Sequence, residues 1–582
     1  MKIMFFSPHS AIWAFAFPEA LIAETLRQGE NEILYITCGG QFSDFCNCMT
    51  AGGLLQDFRY EDKQIICKSC HHNRDLIKRE FMFKGHDLEY YLMPEDKQAL
   101  LDTTAYLTRD NFLDYSIDGF NIGRIALYEL ILQFKKGDLI FSEDEWRAYL
   151  IAFKNTLASF FACRHILDQE KPDRVILYNS AYSINHVLFK LAEARDIPAY
   201  FLNAGQNLSN QLQTLMLGRG NISKFFKTLK HYWHIRREIP CSKNELESVT
   251  SHFMELFKGN HFGAYSAARK GHSEDIRGLF GIAQKQKVLV ATMSSYDERM
   301  AAEICGIFDS DYELIFPKQV DWIKALIQFI RNRKDLFLII RVHPREFPNK
   351  REGVKSEHAK ILEQELKNLP ENVKVNWPTD NLSIYDLAEV TDVFLNAWSS
   401  VGEEMSLFGL PVVVYSPELL LYPADLNYVG VSQDDFFDKI DQALKDGWSF
   451  ERIRMTYRWY VLKLNRSLIN IAESFSSQTN RSGWVYSLEI IWDKIYWKFL
   501  CLFSSIHRSR RDTRRLFKDC KNRAKALKAG GLINSLIKDG KNNILEFPTI
   551  IGEKLVSLDQ ETEYIKSEIK HLGIKVKGQG SC

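Results

Sequence analysis

No stretch of this 582-residue chain reaches the roughly 18 consecutive apolar residues that a membrane-spanning helix requires. Excess charge of one sign is missing too. The 75 Lys and Arg stand against 74 Asp and Glu, net +1, which gives no global ground for nucleic-acid binding. The opening MKIMFFSPHSAIWAFAF lacks the basic start and small-residue cleavage site of a signal peptide. It reads instead as a strand and loop, and a cytoplasmic location is expected. Eleven cysteines without an export signal then imply reduced thiols. The first strand is not followed by G-x-G-x-x-G, which disfavours a dinucleotide site. Apart from two Rossmann-like halves, no internal repeat stands out. What remains is 46% hydrophobic and 26% charged, the composition of an ordinary globular protein, with length for two to four domains.

The most informative stretch is 336–417. Residues 336–342 form a continuous apolar run with one arginine, as in parallel strands buried on both faces, and deliver His343-Pro344 at the carboxyl end. Residues 390–395 form a second run and deliver Ser399-Ser400. A helical stretch, 401–408, closes at Gly409 and leads through Pro411 into a third strand, 412–415. Strand, loop, helix and strand make a βαβ unit, whose ligands bind beyond the carboxyl ends of the strands. Ser399, Ser400 and Gly402 therefore fall at a helix N-terminus, where free N–H groups favour an anion. One turn on, Glu404 is placed to accept hydrogen bonds from sugar hydroxyls. Together with His343 these residues read as a phosphate-plus-ribose site.

The HP pair, Asp380 before a helix, and S-S-x-G-x-E followed by G-x-P-V resemble the carboxyl-terminal half of bacterial GT-B glycosyltransferases of the capsule polysaccharide biosynthesis type, which includes Kdo transferases. Similar HP and SS motifs occur in bacterial polysialyltransferases and in the glycerol-phosphate polymerases of teichoic acid synthesis. The resemblance spans about 80 residues. It implies an α/β GT-B fold with two Rossmann-like domains facing across a cleft, and a helical C-terminal extension. It also implies that His343, Ser399 and Ser400 contact the donor phosphate and that Glu404 holds the ribose. No D-x-D signature stands out as a metal-dependent donor site, so a metal-independent enzyme without cofactor is expected. Arg345 is expected to add charge to the loop, and Arg341 to be structural. Ser294 and Ser295, after a strand at 287–292, are candidates for the donor phosphate, with Asp297 or Glu298 for a sugar; a helix N-cap with acidic first-turn residues is the alternative. Trp377 and Pro378 are expected to wall the base pocket.

The domains expected are an acceptor-binding half at 1–240, a helical linker at 241–285, a nucleotide-sugar half at 286–448, crossover helices at 449–505 and a basic helical tail at 506–582. In GT-B enzymes the first loop faces the cleft, which makes His9 a candidate general base; a histidine capping a loop is the alternative. Asp114 and Asp118 are alternative bases, against a reading as surface carboxylates. Asn179 and Asn185 are candidate acceptor contacts. Cys38, Cys46, Cys67 and Cys70, with Cys48, His71 and His72 nearby, offer ligand types that suit structural zinc; reduced cysteines at strand ends and loops are the alternative. Residues 484–503 are aromatic and amphipathic, and 508–528 hold ten Lys or Arg against two Asp. An anionic membrane surface would attract such a pair, so a peripheral place on the inner membrane is an expectation, against a packing helix and solvated tail.

The function expected is transfer of a sugar from a nucleotide-activated donor to a glycan or lipid-linked acceptor in surface polysaccharide synthesis. Transfer of a polyol phosphate from a CDP-linked donor and a non-catalytic GT-B-like scaffold are the alternatives. Nucleic acid is not an expected partner.

Overall fold

The computed structural model describes residues 1–259, 265–271, 275–349, 353–474, 527–547 and 556–574. Fourteen strands are present among them: β1 (Lys2–Phe6), β2 (Glu32–Ile36), β3 (Ser116–Ile117), β4 (Phe120–Asn121), β5 (Arg174–Tyr178), β6 (Ala199–Ala204), β7 (Thr214–Arg219), β8 (Lys287–Thr292), β9 (Leu336–Arg341), β10 (Val373–Asn376), β11 (Val393–Asn396), β12 (Val412–Val414), β13 (Tyr428–Val429) and β14 (Ile469–Asn470).

The second sheet has the order β10-β9-β8-β11-β12-β13 and is parallel throughout. That is the doubly wound Rossmann order, with its switch point between β8 and β11. Its strands read as unbroken apolar runs because alternate residues bury on opposite faces. Val288, Val290, Phe337, Ile339 and Phe394 enter one core, and Leu289, Ala291, Leu338, Ile340 and Leu395 the other. The first sheet, β14-β7-β6-β5-β1-β2, is parallel from β6 to β2 and ends in antiparallel β7 and β14. It too is covered on both faces: Met4, Phe6, Val175 and Leu177 on one side, Ile3, Phe5, Ile176 and Tyr178 on the other. The fold is therefore α/β with two Rossmann-like domains.

The helix Phe450–Val461 packs on the second domain and runs, through one π turn at Leu462–Arg466, into β14 at the edge of the first sheet. The carboxyl ends of the two sheets meet. Arg345, after β9, donates to the Leu132 carbonyl at 2.8 Å, and Lys135 donates to the Phe347 and Val354 carbonyls at 2.9 and 2.7 Å. The Cys305 thiol donates to the Arg124 carbonyl at 3.2 Å.

Two elements depart from the sequence reading. β7 lies in a stretch to which the sequence pattern assigns no element, because its short apolar run gains a partner only when the chain turns back on β6. The residues after 530, expected to be helical, depart in being packed rather than loosely attached. Gly530–Lys538 buries Ile533, Leu536 and Ile537 against the first domain, and Leu558–His571 buries Ile565 and Ile569 against the second. The first of these explains Gly29. Its φ is −82°, so it is not a left-handed helix stop; a Cβ there would stand 2.0 Å from Asn534 Oδ1.

Candidate functional site

Three neighbouring strands, β9, β8 and β11, send their carboxyl-end loops to one place. Strands sit roughly 4.8 Å apart, so the loops carrying His343, Ser294 and Ser399 leave the sheet within about 10 Å of one another. The Ser294 hydroxyl accepts the Trp398 N–H at 3.0 Å, joining the β8 loop to the β11 loop. Ser294 is held in turn by Gln319, which accepts its N–H at 2.8 Å and donates to its carbonyl at 3.0 Å. Ser295 precedes the helix Tyr296–Ile304, and its hydroxyl donates to the Glu298 carboxylate rather than accepting a backbone N–H of that helix.

Below the serines, Asn396 at the end of β11 donates to the Ser399 carbonyl at 2.8 Å and accepts the Thr292 hydroxyl at 2.9 Å. Ser399 Oγ accepts the Val401 N–H at 3.3 Å at the start of the helix Val401–Leu407. Ser400 is exposed and donates to Glu404 Oε1 at 2.8 Å, while the Tyr385 hydroxyl donates to Oε2 at 2.8 Å. Burial raises the Glu404 carboxyl above its ordinary range, with those two donors opposing the rise. Gly402 is required by close approach: a Cβ there would meet Tyr422 Oη at 1.9 Å and Asn396 Nδ2 at 2.7 Å. The adjacent Glu403 is buried and accepts the Trp459 indole N–H at 2.5 Å and the Lys463 ammonium, so the crossover helix pins this loop.

His343 stands at the head of a short 3₁₀ turn, its Nδ1 accepting the Arg345 N–H at 3.2 Å. A neutral ring with Nδ1 as acceptor carries its proton on Nε2 and is a donor there. Burial lowers its pKa, so the neutral form prevails. Arg345 is not turned to solvent. The residue is 3% exposed, and its guanidinium makes three bonds to Asp297, at 3.2, 2.9 and 2.8 Å, besides those to Leu132 and the Tyr265 hydroxyl. Its charge is thus matched within the fold. Arg341 is buried, donating to Asn376 and to the Leu382 carbonyl, with its pKa lowered by burial to about 10. Beside it, a cavity of about 210 Å³ is lined by Arg341, Pro344, Pro378, Asn381, Tyr265 and Ser266. Pro378 lines this cavity; the Trp377 ring packs 5.8 Å from Phe347. Asp309-Ser310-Asp311, a D-x-D by spacing, sits on an exposed loop with Asp309 bound to Lys227 at 2.7 Å.

In the first domain His9 follows β1. It is 2% exposed, neither ring nitrogen has a partner among the described residues, and it stands edge-on to Tyr182 at 5.4 Å. Burial lowers its pKa to about 4. Other buried polar atoms without a partner among the described residues lie at the same end of the sheet: Tyr178 Oη, Ser180 Oγ, Asn185 Oδ1 and Gln206 Oε1. Asn179 adopts φ +60° and its side chain accepts the Ala181 N–H at 3.0 Å; Asn185 donates to the Tyr178 carbonyl at 2.6 Å. Sequence reasoning missed Glu19, one residue past the only proline of its helix. It is 1% exposed, accepts the Ser7 hydroxyl at 2.5 Å and the Tyr178 N–H at 3.1 Å, and burial pushes its pKa up to about 8. A carboxylate amid FPEALIA was the available signal. Asp118 lies elsewhere, on the exposed turn between β3 and β4, paired with Arg164 at 2.9 Å. Asp114 ends a 3₁₀ turn just before that hairpin.

Cys38, Cys46, Cys48, Cys67 and Cys70 line one small cavity with His71, close to the His9 loop. Among the described residues no three His, Cys, Asp or Glu side chains are set to hold a metal ion. Nor is any described helix long and apolar enough to cross a membrane. Residues 484–503 and 508–526, on which the membrane expectation rests, lie outside the described residues.

No protein-family model matches the chain, and no curated protein matches it. Among solved structures it is similar to the KpsC β-Kdo 2,4 transferase of Thermosulfurimonas dismutans, at 13% identity over 50% of this chain and 80% of that one, with a TM-score of 0.31. It is similar to the UDP-GlcNAc 2-epimerase of Neisseria meningitidis bound to UDP-GlcNAc, at 12% identity over 80% and 98%, TM-score 0.24. The calicheamicin glycosyltransferase CalG4 follows at 12% over 79% and 94%, TM-score 0.24. The two-domain fold stands on the strand order described above rather than on these overlaps.

Proposed function

We propose that the chain is a GT-B glycosyltransferase that moves a sugar from a nucleotide-activated donor to a glycan or lipid-linked acceptor in bacterial surface polysaccharide synthesis. The observation that carries this reading is the gathering of the His343, Ser294 and Ser399 loops beyond adjacent parallel strands, beside the cavity at Pro344 and Pro378. Breaking a glycosidic bond to a nucleotide leaves negative charge on the departing phosphate, and fixed donors aimed at it lower the barrier. The His343 Nε2–H and the Ser399 hydroxyl are donors of that kind, whereas the one hydroxyl proton of Ser400 is given to Glu404. Glu404, its two oxygens already oriented by Tyr385 and Ser400, keeps lone pairs for ribose hydroxyls. The base enters the cavity at Pro378 and Asn381, with Trp377 behind it. Arg345 serves the site through Asp297, by fixing the β8 and β9 loops to one another and to Leu132.

The acceptor hydroxyl lies on the first domain, near the buried polar atoms around His9. Burial keeps the His9 ring unprotonated at neutral pH, so a lone pair is present to take the acceptor's proton. Asp118, exposed and bound to Arg164, is a weaker choice of base. The sequence of residues 484–528 supports attachment of the enzyme to an anionic membrane surface, where lipid-linked acceptors reside. The test is nucleotide release. Incubated with CMP-, CDP-, UDP- and GDP-linked sugars, the chain releases one nucleotide, and His343→Ala slows that release by about 100-fold, in line with loss of one oxyanion donor. Release of none by the wild type counts against the proposal.

A further inference from the structure

Residues 222–237 hold three Lys, two Arg and two His and no Asp or Glu. They include the helix Ile222–Arg236, which buries Phe225, Phe226, Leu229 and Trp233 and leaves Lys224, Lys227 and His231 exposed along one stripe. Part of this charge is answered within the fold. Lys230 donates to the Leu420 carbonyl at 2.9 Å, and Arg237 pairs with Asp425. Lys227 meets Asp309 at 2.7 Å, but both side chains are more than half exposed, where a pair is worth little. The Lys224 ammonium has no hydrogen bond or ion pair among the described residues.

Another cation arrives from more than 300 residues away. Lys541 follows the helix Gly530–Lys538, in a turn held against β7: Arg219 donates its N–H to the Asn542 carbonyl at 3.0 Å and its guanidinium to the Gly540 carbonyl at 3.1 Å. Between that turn and the basic helix runs an open groove of about 520 Å³. Lys224, Lys227 and His231 line it from the helix and Lys541 from the turn, with Thr228, Tyr232 and Asn542 as neutral polar groups. Its one carboxylate, Glu546, accepts the Asn542 N–H at 2.8 Å. The Lys541 ammonium, like that of Lys224, has no partner among the described residues. Three ammonium groups around one small groove lie within about a Debye length, roughly 8–10 Å, and repel one another. An anion between them removes that repulsion. Lysine binds phosphate as a point charge, and hydroxyl and amide groups supply further donors. The groove falls in the size range of small-molecule sites, roughly 300–1,000 Å³, so it admits the group esterified to a phosphate as well. It shares no lining residue with the cavity beside Arg341.

We propose that this groove is a second anion site, separate from the donor site, that binds a phosphate monoester with Lys224, Lys227 and Lys541 around the phosphate. The same chemistry is offered by a soluble phosphate ester and by a phospholipid headgroup. The test uses the full chain and acetylation of its lysines by an N-hydroxysuccinimide ester, read site by site by peptide mass spectrometry. Glycerol 3-phosphate, with ionic strength matched by sodium chloride, is the soluble arm. Phosphatidylcholine vesicles with and without phosphatidic acid are the lipid arm. With the bound species at about ten times its Kd, labelling of Lys224 and Lys541 is expected to slow about tenfold. Lys324, half exposed on the second domain, is expected to react as before. Protection by glycerol 3-phosphate assigns the soluble source, and protection only by vesicles with phosphatidic acid assigns the headgroup. The double variant Lys224→Gln, Lys541→Gln is expected to weaken that binding by about tenfold or more, through loss of two charged contacts. The wild-type labelling map stands even if the variant fails to fold. No protection in either arm, equal slowing at Lys324, or a folded double variant that binds as tightly as the wild type would overturn the proposal. None of these outcomes depends on whether the chain transfers sugars.

Discussion

The Tyr385 hydroxyl donates to Glu404 Oε2 at 2.8 Å across the core of the second domain, joining the turn after β10 to the helix after β11. Glu404 is 9% exposed and has Ser400 on its other oxygen, so its carboxylate direction is set before any ligand arrives.

Tyr385→Phe removes that donor and leaves a buried carboxylate oxygen unpaired. The expected loss of stability is about 1–3 kcal/mol, read from urea denaturation. Ser400→Ala, at an exposed position, costs less. Equal effects of the two would show that Tyr385 does not hold Glu404.

Glu403, next in sequence, tests how the crossover helix secures the site loop. Lys463→Met leaves a carboxylate that is 1% exposed with only the Trp459 indole as donor. Removing one partner of a buried pair costs about 3–5 kcal/mol. Lys463→Met combined with Glu403→Gln is expected to recover most of the loss, since Gln still accepts from Trp459 and no charge is stranded. A double variant as unstable as the single one would place the cost elsewhere.

The pH dependence turns on Glu19. Its pKa is raised from 4.5 to about 8, so across that window the folded chain holds a proton that the unfolded chain has released. Stability from Glu19 is therefore fully present below about pH 4.5 and falls as pH rises through 8. Below about pH 6.5 the opposite trend of His9 and His186, both lowered to about 4, offsets it. Glu19→Gln keeps an acceptor for the Tyr178 N–H and a donor for Ser7 but carries no titrating proton. Between pH 6.5 and 8 the wild type is expected to lose stability relative to the variant, by about 1.4 kcal/mol per pH unit at most. Parallel stability curves for the two would refute the assignment.

The two Rossmann halves were legible because parallel strands buried on both faces announce themselves as unbroken apolar runs, as at 336–342. That the His343, Ser294 and Ser399 loops leave neighbouring strand ends followed from position alone, since each comes just after such a run. Local pattern said less about partners far along the chain. Arg345 reads as a loop cation until Asp297, 48 residues earlier, is seen to take its charge. Gly29 does follow the helix end at Gln28, but the need for glycine there comes from Asn534, more than 500 residues away. The long helix Glu143–Glu170 begins at a capping box that Ser142 and Glu145 spell out in the sequence.

The central claim is that the second domain grips an activated nucleotide between the His343 and Ser399 loops, with Glu404 on the ribose. Thermal unfolding of the full chain with CMP, CDP, UDP and GDP tests it most directly. At about 100 times its Kd, one nucleotide is expected to stabilise the wild type by about 2.7 kcal/mol, and Glu404→Ala is expected to abolish that gain. A wild type that none of the four stabilises, or a Glu404→Ala variant stabilised as much as the wild type, would contradict the claim.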